Sequence, residues 1–144
     1  MEDSVAQGKV RAIGVSNFTI AHLETLRRTA KNWPPAVNQV EFHPYLAQSE
    51  LLAYCNTHGI VLQAYASLGG QDAGKGRLDP LGGPLLQHPV VLAAATNHGV
   101  SAAQVLLRWA LQKGVAVIPK ASSKERVAMN AQLHGFNLED AEVA

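Results

Sequence analysis

Ala36–Phe42, AVNQVEF, and Ile60–Ala66, IVLQAYA, begin 24 residues apart and are joined by a stretch of helical periodicity. Both are short and rich in apolar and β-branched residues, the pattern of buried strands. Ala12–Phe18, AIGVSNF, begins another 24 residues earlier, a spacing suited to a repeated βα unit. Val115–Ala121, VAVIPKA, is a fourth segment of the same kind. Each strand is followed by helical periodicity, so the chain reads β-α-β-α-β-α-β-α. Parallel strands joined by helices collect functional groups where the strands end. The polar ends, Ser16 with Asn17, Gln39, Tyr65 and Lys120, are therefore expected on one rim.

The helices carry clear start and stop signals. Thr19 is placed to cap the first, with Leu23, Leu26 and Ala30 inward at helical spacing. Ser49 opens the second, which buries Leu51, Leu52 and Cys55 and stops at Gly59. Pro89 suits the first position of a third helix that ends at Gly99. Ser101 with Gln104 reads as a capping box for the fourth, closed by Gly114, and Ser122 with Glu125 repeats the pattern for the last, which runs to about Leu133. Between the third and fourth strands lies Leu68–Pro84, LGGQDAGKGRLDPLGGP, which has no periodicity and is expected to be a long loop over about 68–84.

Four parallel βα units are half of an eight-fold barrel, and an α/β half-barrel is the expected architecture. A small, open, doubly wound sheet is the alternative, and strand order distinguishes the two. The first residues read as the tail of a preceding helix and LEDAEVA as the onset of another, so the chain is expected to be part of a longer fold.

The 144 residues are enough for one domain with a real core, and the net charge of +1 gives no basic stripe for nucleic acid. The lone cysteine, Cys55, excludes an internal disulfide and fits a reducing compartment. The N-terminus lacks the apolar run of a signal peptide, and no run approaches the roughly 20 apolar residues of a membrane span. A soluble, cytoplasmic protein without a membrane or nucleic-acid partner is expected.

The chemistry-bearing residues leave choices open. Ser16 and Asn17 offer a hydroxyl and an amide suited to a carboxamide ligand, or else they cap the helix near Thr19. Gln39 alternates onto the side of Val37 and Glu41, toward a barrel interior, where it binds a ligand or joins a polar network with Glu41. Tyr65 stacks on a planar heterocycle or packs with its hydroxyl at the rim. Lys120 and Arg126, at the start of the last helix, are placed to hold a phosphate, each charge-assisted bond being worth roughly 1.5–3 kcal/mol. The alternative there is a solvated helix start. His43, beside Pro44 and Tyr45, reads as a structural contact without a carboxylate at triad-like spacing, and the remaining histidines have no metal-site spacing.

GKVRAIGVSNF, NQVEFHPYL, LQAYASLG, AQVLLRWALQKGVAVIPKASSKERVAMN and LEDAEVA, in that order, resemble the C-terminal half of an aldo-keto reductase across essentially the whole chain. The resemblance implies the C-terminal half of a (β/α)8 barrel that binds NADP(H) in extended form and reduces aldehydes and ketones by hydride transfer. It implies that Ser16, Asn17 and Gln39 hold the nicotinamide carboxamide and that Tyr65 stacks on the ring. It further implies that Leu68 and the following loop cover the pyrophosphate. Lys120, Ser122 and Arg126 would bind the 2′-phosphate and Asn130 the adenine.

Ala121, Met129 and the pair Ala66-Ser67 depart from the family pattern, each removing or loosening a cofactor contact. The family's catalytic Asp, Tyr, Lys and His belong to the other half of the barrel, and Tyr45, Tyr54 and Tyr65 do not match the catalytic tyrosine. No catalytic residue is therefore expected in this chain. A small carbonyl substrate is implied only when an N-terminal half completes the barrel. Self-association through open sheet edges, as a non-catalytic assembly module, is the second expectation.

Overall fold

The computed structural model describes residues 1–69 and 84–144. The expected loop therefore falls largely outside the described residues. The elements are α1 (Glu2–Ala6), β1 (Val15–Ser16), α2 (Ile20–Thr29), β2 (Val37–Glu41), α3 (Ser49–Thr57), β3 (Val61–Tyr65), a 3₁₀ turn (Leu85–Gln87), α4 (Pro89–His98), α5 (Ala102–Gln112), β4 (Ala116–Val117), α6 (Lys124–Ala131) and α7 (Asp140–Val143).

The four strands are parallel and lie in the order β1-β2-β3-β4. A doubly wound sheet must reverse its order at a switch point, so this order removes that alternative and leaves the C-terminal half of a (β/α)8 barrel. Between β2 and β3 the paired residues are those one sequence repeat apart, Val37 opposite Val61 and Gln39 opposite Gln63. The edge strands pair over fewer residues than the sequence suggests, because each has a neighbour on one side only and pairs only where that neighbour runs alongside. Gly14 allows the approach of β1, since a Cβ there would lie 2.7 Å from the Val37 carbonyl oxygen.

The sheet has two unlike faces. Asn38 and Val40 of β2 and Leu62 and Ala64 of β3 are buried, whereas the alternate residues, Val37, Gln39, Glu41, Gln63 and Tyr65, are half-buried. The buried set forms one core with Leu23 of α2, Leu51 and Cys55 of α3, Val91 of α4 and Leu106 and Trp109 of α5. α5 supplies the largest share of the helical contribution, with Val105, Leu106, Trp109 and Ala110 at helical spacing. Fully buried side chains such as Leu62 and Leu106 each contribute about 1.5–3 kcal/mol by removing apolar area from water. Burial also raises the pKa of the Cys55 thiol above its ordinary value, so this free cysteine belongs to the core.

The start signals are made as expected at two helices. Thr19 and His22 exchange reciprocal capping bonds at α2, and Ser101 with Gln104 does so at α5. α4 has Pro89 in its first turn and ends at Gly99, whose φ of 63° is the left-handed cap that glycine adopts without penalty. Among the described residues no single helix is long and apolar enough to cross a membrane.

Two polar fasteners hold this frame. Asn38, fully buried in β2, donates from Nδ2 to the Phe18 carbonyl at 2.8 Å and accepts the Phe18 N–H at 3.3 Å. It thereby ties the turn after β1 to the neighbouring strand. At the other end, Gln112 exchanges two bonds with the Leu138 backbone (2.9 and 2.7 Å) and Trp109 Nε1 donates to the Val143 carbonyl at 3.0 Å. His98 meets the Glu142 carboxylate at 2.7 Å. The helix expected at LEDAEVA is α7, and these bonds seat it on α4 and α5.

Asn38→Ala leaves both half-buried Phe18 backbone groups without their partner. A loss of about 2–4 kcal/mol is expected, from roughly 1–3 kcal/mol per unsatisfied buried group, read as a lower urea midpoint. An unchanged midpoint would refute the fastening role. The His98 bond, reinforced by the Glu139 backbone N–H, holds the Glu142 carboxyl below its ordinary value of 4.5. A carboxyl depressed on folding adds stability above that value, and the gain is lost as pH falls through the lower folded value. Denaturation midpoints should therefore drop as pH falls below that ordinary value of 4.5, and less so in Glu142→Gln; identical acid dependence in both proteins would disprove the assignment.

Candidate functional site

β1, β2 and β3 end on one rim because they run parallel and in register. Ser16 closes β1, and its hydroxyl donates to the Gln39 carbonyl at 3.0 Å. Asn17 follows with its N–H on the same carbonyl at 2.9 Å, and its Oδ1 accepts the Tyr65 hydroxyl at 3.0 Å. Gln39 Nε2 donates to Gln63 Oε1 at 2.7 Å across the half-buried face. Four of the expected residues, Ser16, Asn17, Gln39 and Tyr65, are thus brought together by hydrogen bonds.

This geometry decides among the alternatives raised by the sequence. The cap of α2 is Thr19, so Ser16 and Asn17 are engaged with neighbouring strands instead of the helix. Gln39 bonds Gln63, and Glu41 meets His43, whose Nε2 lies 3.1 Å from the Glu41 carboxylate. His43 has no carboxylate at triad-like spacing in the sequence, and its partner is instead Glu41, two residues away. Gln63 and Asn38 went unnoticed as well. The repeat that pairs Gln39 with Gln63 was the available signal for the first. The second, a polar residue on the apolar side of an alternating strand, signalled a buried bond.

Backbone strain accompanies this rim. Asn17 has φ 58° and Ala66, directly after Tyr65, has φ 51°. The left-handed region costs a non-glycine residue roughly 1–2 kcal/mol, and asparagine tolerates it better than alanine does. The two residues flank the Tyr65–Asn17 bond, which holds the phenol at the edge of the sheet. Ser67, next along, is buried and donates to the Ala64 carbonyl at 3.1 Å. Leu68 packs half-buried against the core; the loop after it, expected to cover a pyrophosphate, lies outside the described residues.

The remaining site residues lie on the β4–α6 connection, at the same end of the sheet. Lys120, Ser122 and Arg126 are exposed and Asn130 is half-buried on α6. No hydrogen bond among the described residues joins them to the Tyr65 cluster. One expectation needs correction, because Ser123 caps α6, accepting the Arg126 N–H at 3.3 Å, and the Ser122–Glu125 capping box is not made. The helix starts one residue later than the pattern suggested, which frees the Ser122 side chain from capping and places Glu125 inside the first turn. Bonds from its own backbone N–H and from the Ser123 hydroxyl hold the Glu125 carboxyl below its ordinary value of 4.5. Among the described residues no group of three or more His, Cys, Asp or Glu side chains is arranged to hold a metal ion.

Glu125 already lends a negative charge to the helix start, where an incoming phosphate would compete with it. Glu125→Gln is expected to tighten binding of adenosine 2′,5′-bisphosphate by about two- to five-fold in calorimetry. Unchanged or weaker binding would show that the phosphate does not use this helix start.

The sequence model described as "Aldo/keto reductase family" matches residues 1–144. The chain is 42% identical over 138 residues to "Uncharacterized oxidoreductase YtbE" of Bacillus subtilis, covering 96% of this chain and 45% of that protein. It is 44% identical over 144 residues to the "NAD(P)H-dependent pentose reductase" of Pyricularia oryzae, covering 98% and 43% respectively. Among solved structures, the crystal structure of MGS-M4, an aldo-keto reductase enzyme from a Medee basin deep-sea metagenome library, superposes with a TM-score of 0.86 at 35% identity. That match covers 99% of this chain and 49% of the solved one. The chain spans about half the length of the curated relatives it matches. The family model spans residues 1–144 and the fold agrees with it, so the chain belongs to the aldo-keto reductase family.

Proposed function

We propose that this chain carries the nicotinamide-nucleotide seat of an NADP(H)-dependent reductase of aldehydes and ketones. The observation that supports it best is the 3.0 Å bond from the Tyr65 hydroxyl to Asn17 Oδ1. That bond fixes an aromatic ring beside a hydroxyl and two amides. With Asn17 Oδ1 engaged by Tyr65 and Gln39 Nε2 by Gln63, Asn17 Nδ2 is the donor and Gln39 Oε1 the acceptor that a carboxamide requires. The residues therefore fit a nicotinamide, whose reduced ring supplies the hydride for carbonyl reduction when bound.

The chain's own residues orient the cofactor. Ser16, Asn17 and Gln39 fix the carboxamide and so the face of the ring, and the Tyr65 ring offers an apolar stacking surface. Leu68 lies on the path toward the pyrophosphate. Lys120, Ser122 and Arg126 supply charge and hydroxyl donors for a 2′-phosphate, and Asn130 an amide for adenine. These exposed cations favour NADP(H) over NAD(H), since the two differ by that phosphate. A reducing, cytoplasmic setting accords with the unpaired Cys55.

The reduction also needs a proton donor. The resemblance assigns that role to the family's other half, so the 144-residue chain alone binds cofactor without turnover and a carbonyl substrate requires completion of the barrel. NADPH titration of the purified chain, followed by tryptophan quenching, tests the seat. Asn17→Ala should weaken binding about five- to thirty-fold, for a loss of roughly 1–2 kcal/mol from a hydrogen bond and its bound partner. Absence of NADPH binding at millimolar concentration would refute the seat. Aldehyde reduction by the chain alone would refute its catalytic silence.

A further inference from the structure

We propose that Gln63 is a positioning residue of the nicotinamide seat, fixing which end of the Gln39 amide faces the ring and so making the seat selective for a carboxamide. The proposal rests on the cofactor reading above and adds to it a residue that the resemblance does not assign. Gln39 and Gln63 are directly opposite in the parallel register of β2 and β3, and both are half-buried on the sheet face away from the helices. β2 and β3 are the inner strands, each with a neighbour on either side, so the pair does not depend on the edges of the sheet.

A side-chain amide has a donor end and an acceptor end of nearly equal shape, so its hydrogen bonds decide which way it points. For Gln39 the decision falls to Gln63. Gln39 Nε2 donates to Gln63 Oε1 at 2.7 Å, which turns Gln39 Oε1 away from that partner. Among the described residues the neighbouring side chains do not compete for this bond. Opposite Gln39 on β1 is Ser16, whose hydroxyl is engaged by the Gln39 backbone carbonyl at 3.0 Å. Opposite Gln63 on β4 is Ala116, whose methyl offers neither donor nor acceptor. The preceding row on the same face pairs Val37 with Val61. In the following row Glu41 meets His43 and Tyr65 meets Asn17. These bonds also close a circuit. The Asn17 N–H donates to the Gln39 carbonyl at 2.9 Å, Gln39 reaches Gln63, and Tyr65, two residues further along β3, donates back to Asn17 Oδ1 at 3.0 Å. β3 thus orients both amides, Tyr65 that of Asn17 and Gln63 that of Gln39. The amides then present opposite ends, a donor and an acceptor, to the C=O and NH2 of a carboxamide. An acetyl substituent keeps the C=O and lacks the NH2, so it satisfies Asn17 and leaves Gln39 Oε1 facing a methyl group.

Calorimetric binding of NADPH and of its reduced 3-acetylpyridine analogue to the purified 144-residue chain tests this, both rings being uncharged. Adenosine 2′,5′-bisphosphate, which lacks the ring, serves as the control ligand. The wild type is expected to bind NADPH about three- to ten-fold more tightly than the analogue, the range of one hydrogen bond. Gln63→Leu removes the acceptor and should reduce that preference to less than about two-fold, with bisphosphate binding unchanged. Gln63→Glu keeps an acceptor opposite Gln39 Nε2 and should restore the wild-type preference. Gln63→Met gives a second reading should the leucine variant not fold. Full preference in the leucine or methionine variant would overturn the proposal, as would its loss in Gln63→Glu. Equal weakening of all three ligands would reduce Gln63 to a structural role and overturn it too. In each of these cases wild-type NADPH binding that Asn17→Ala weakens leaves the cofactor reading standing, whereas a wild type that binds neither nucleotide sinks both.

Discussion

The pairing of β2 with β3 sets the position of almost everything else in this molecule. Five residues of each strand are aligned, and Gln39 opposite Gln63 and Glu41 opposite Tyr65 follow from that alignment. Side chains in a strand alternate strictly, so a slip of one residue would turn Gln39 and Tyr65 into the helical layer and bring Asn38 and Leu62 to the open side. The slip is prevented from both directions. Leu62 and Val40 must stay in the core on the helical side of the sheet, and the Gln39–Gln63 bond stays intact only in the observed register. Because the strands are parallel, their C-terminal ends then fall at one level.

That level combines costly local conformation with side-chain bonding between strands. Asn17 and Ala66 adopt positive φ, and both adjoin the Tyr65–Asn17 bond. Strain of this kind persists only when surrounding contacts over-determine the backbone. Asn38 does so for the turn after β1, and the buried Ser67 for the turn after β3. The rim is thereby preorganised, with donors and acceptors held by strands and not by long loops. The β4–α6 side differs, for its cations are exposed on long side chains and rely on the helix start for direction. In the proposed cofactor seat a planar ring would meet the rigid end and a phosphate the exposed charges, a division that suits both, since planar stacking demands geometry and a phosphate mainly demands charge.

Much of this was visible in the chain before folding. The 24-residue repeat marked successive βα units, whose equivalent residues the structure pairs, and Thr19, Ser101 and Gly99 marked helix ends that the structure reproduces. Failures came where two local signals competed. Ser122 and Ser123 are equally good caps by type, and the choice of Ser123 depends on where β4 releases the chain. Glu41 and His43 escaped pairing in the sequence because a separation of two places side chains on the same face only once the strand extends through them.

From its residues alone this protein determined its alternation of strands and helices, its family, and the set of polar groups at strand ends, because periodicity and capping are local properties of the chain. Tertiary structure decided which of those groups meet. It gave Ser16 and Asn17 to the neighbouring strands instead of a helix cap, and Gln39 to Gln63 instead of Glu41. Strand order and lateral pairing are long-range choices, settled by how the helices bury their apolar stripes on one side of the sheet, and no single segment carries that information.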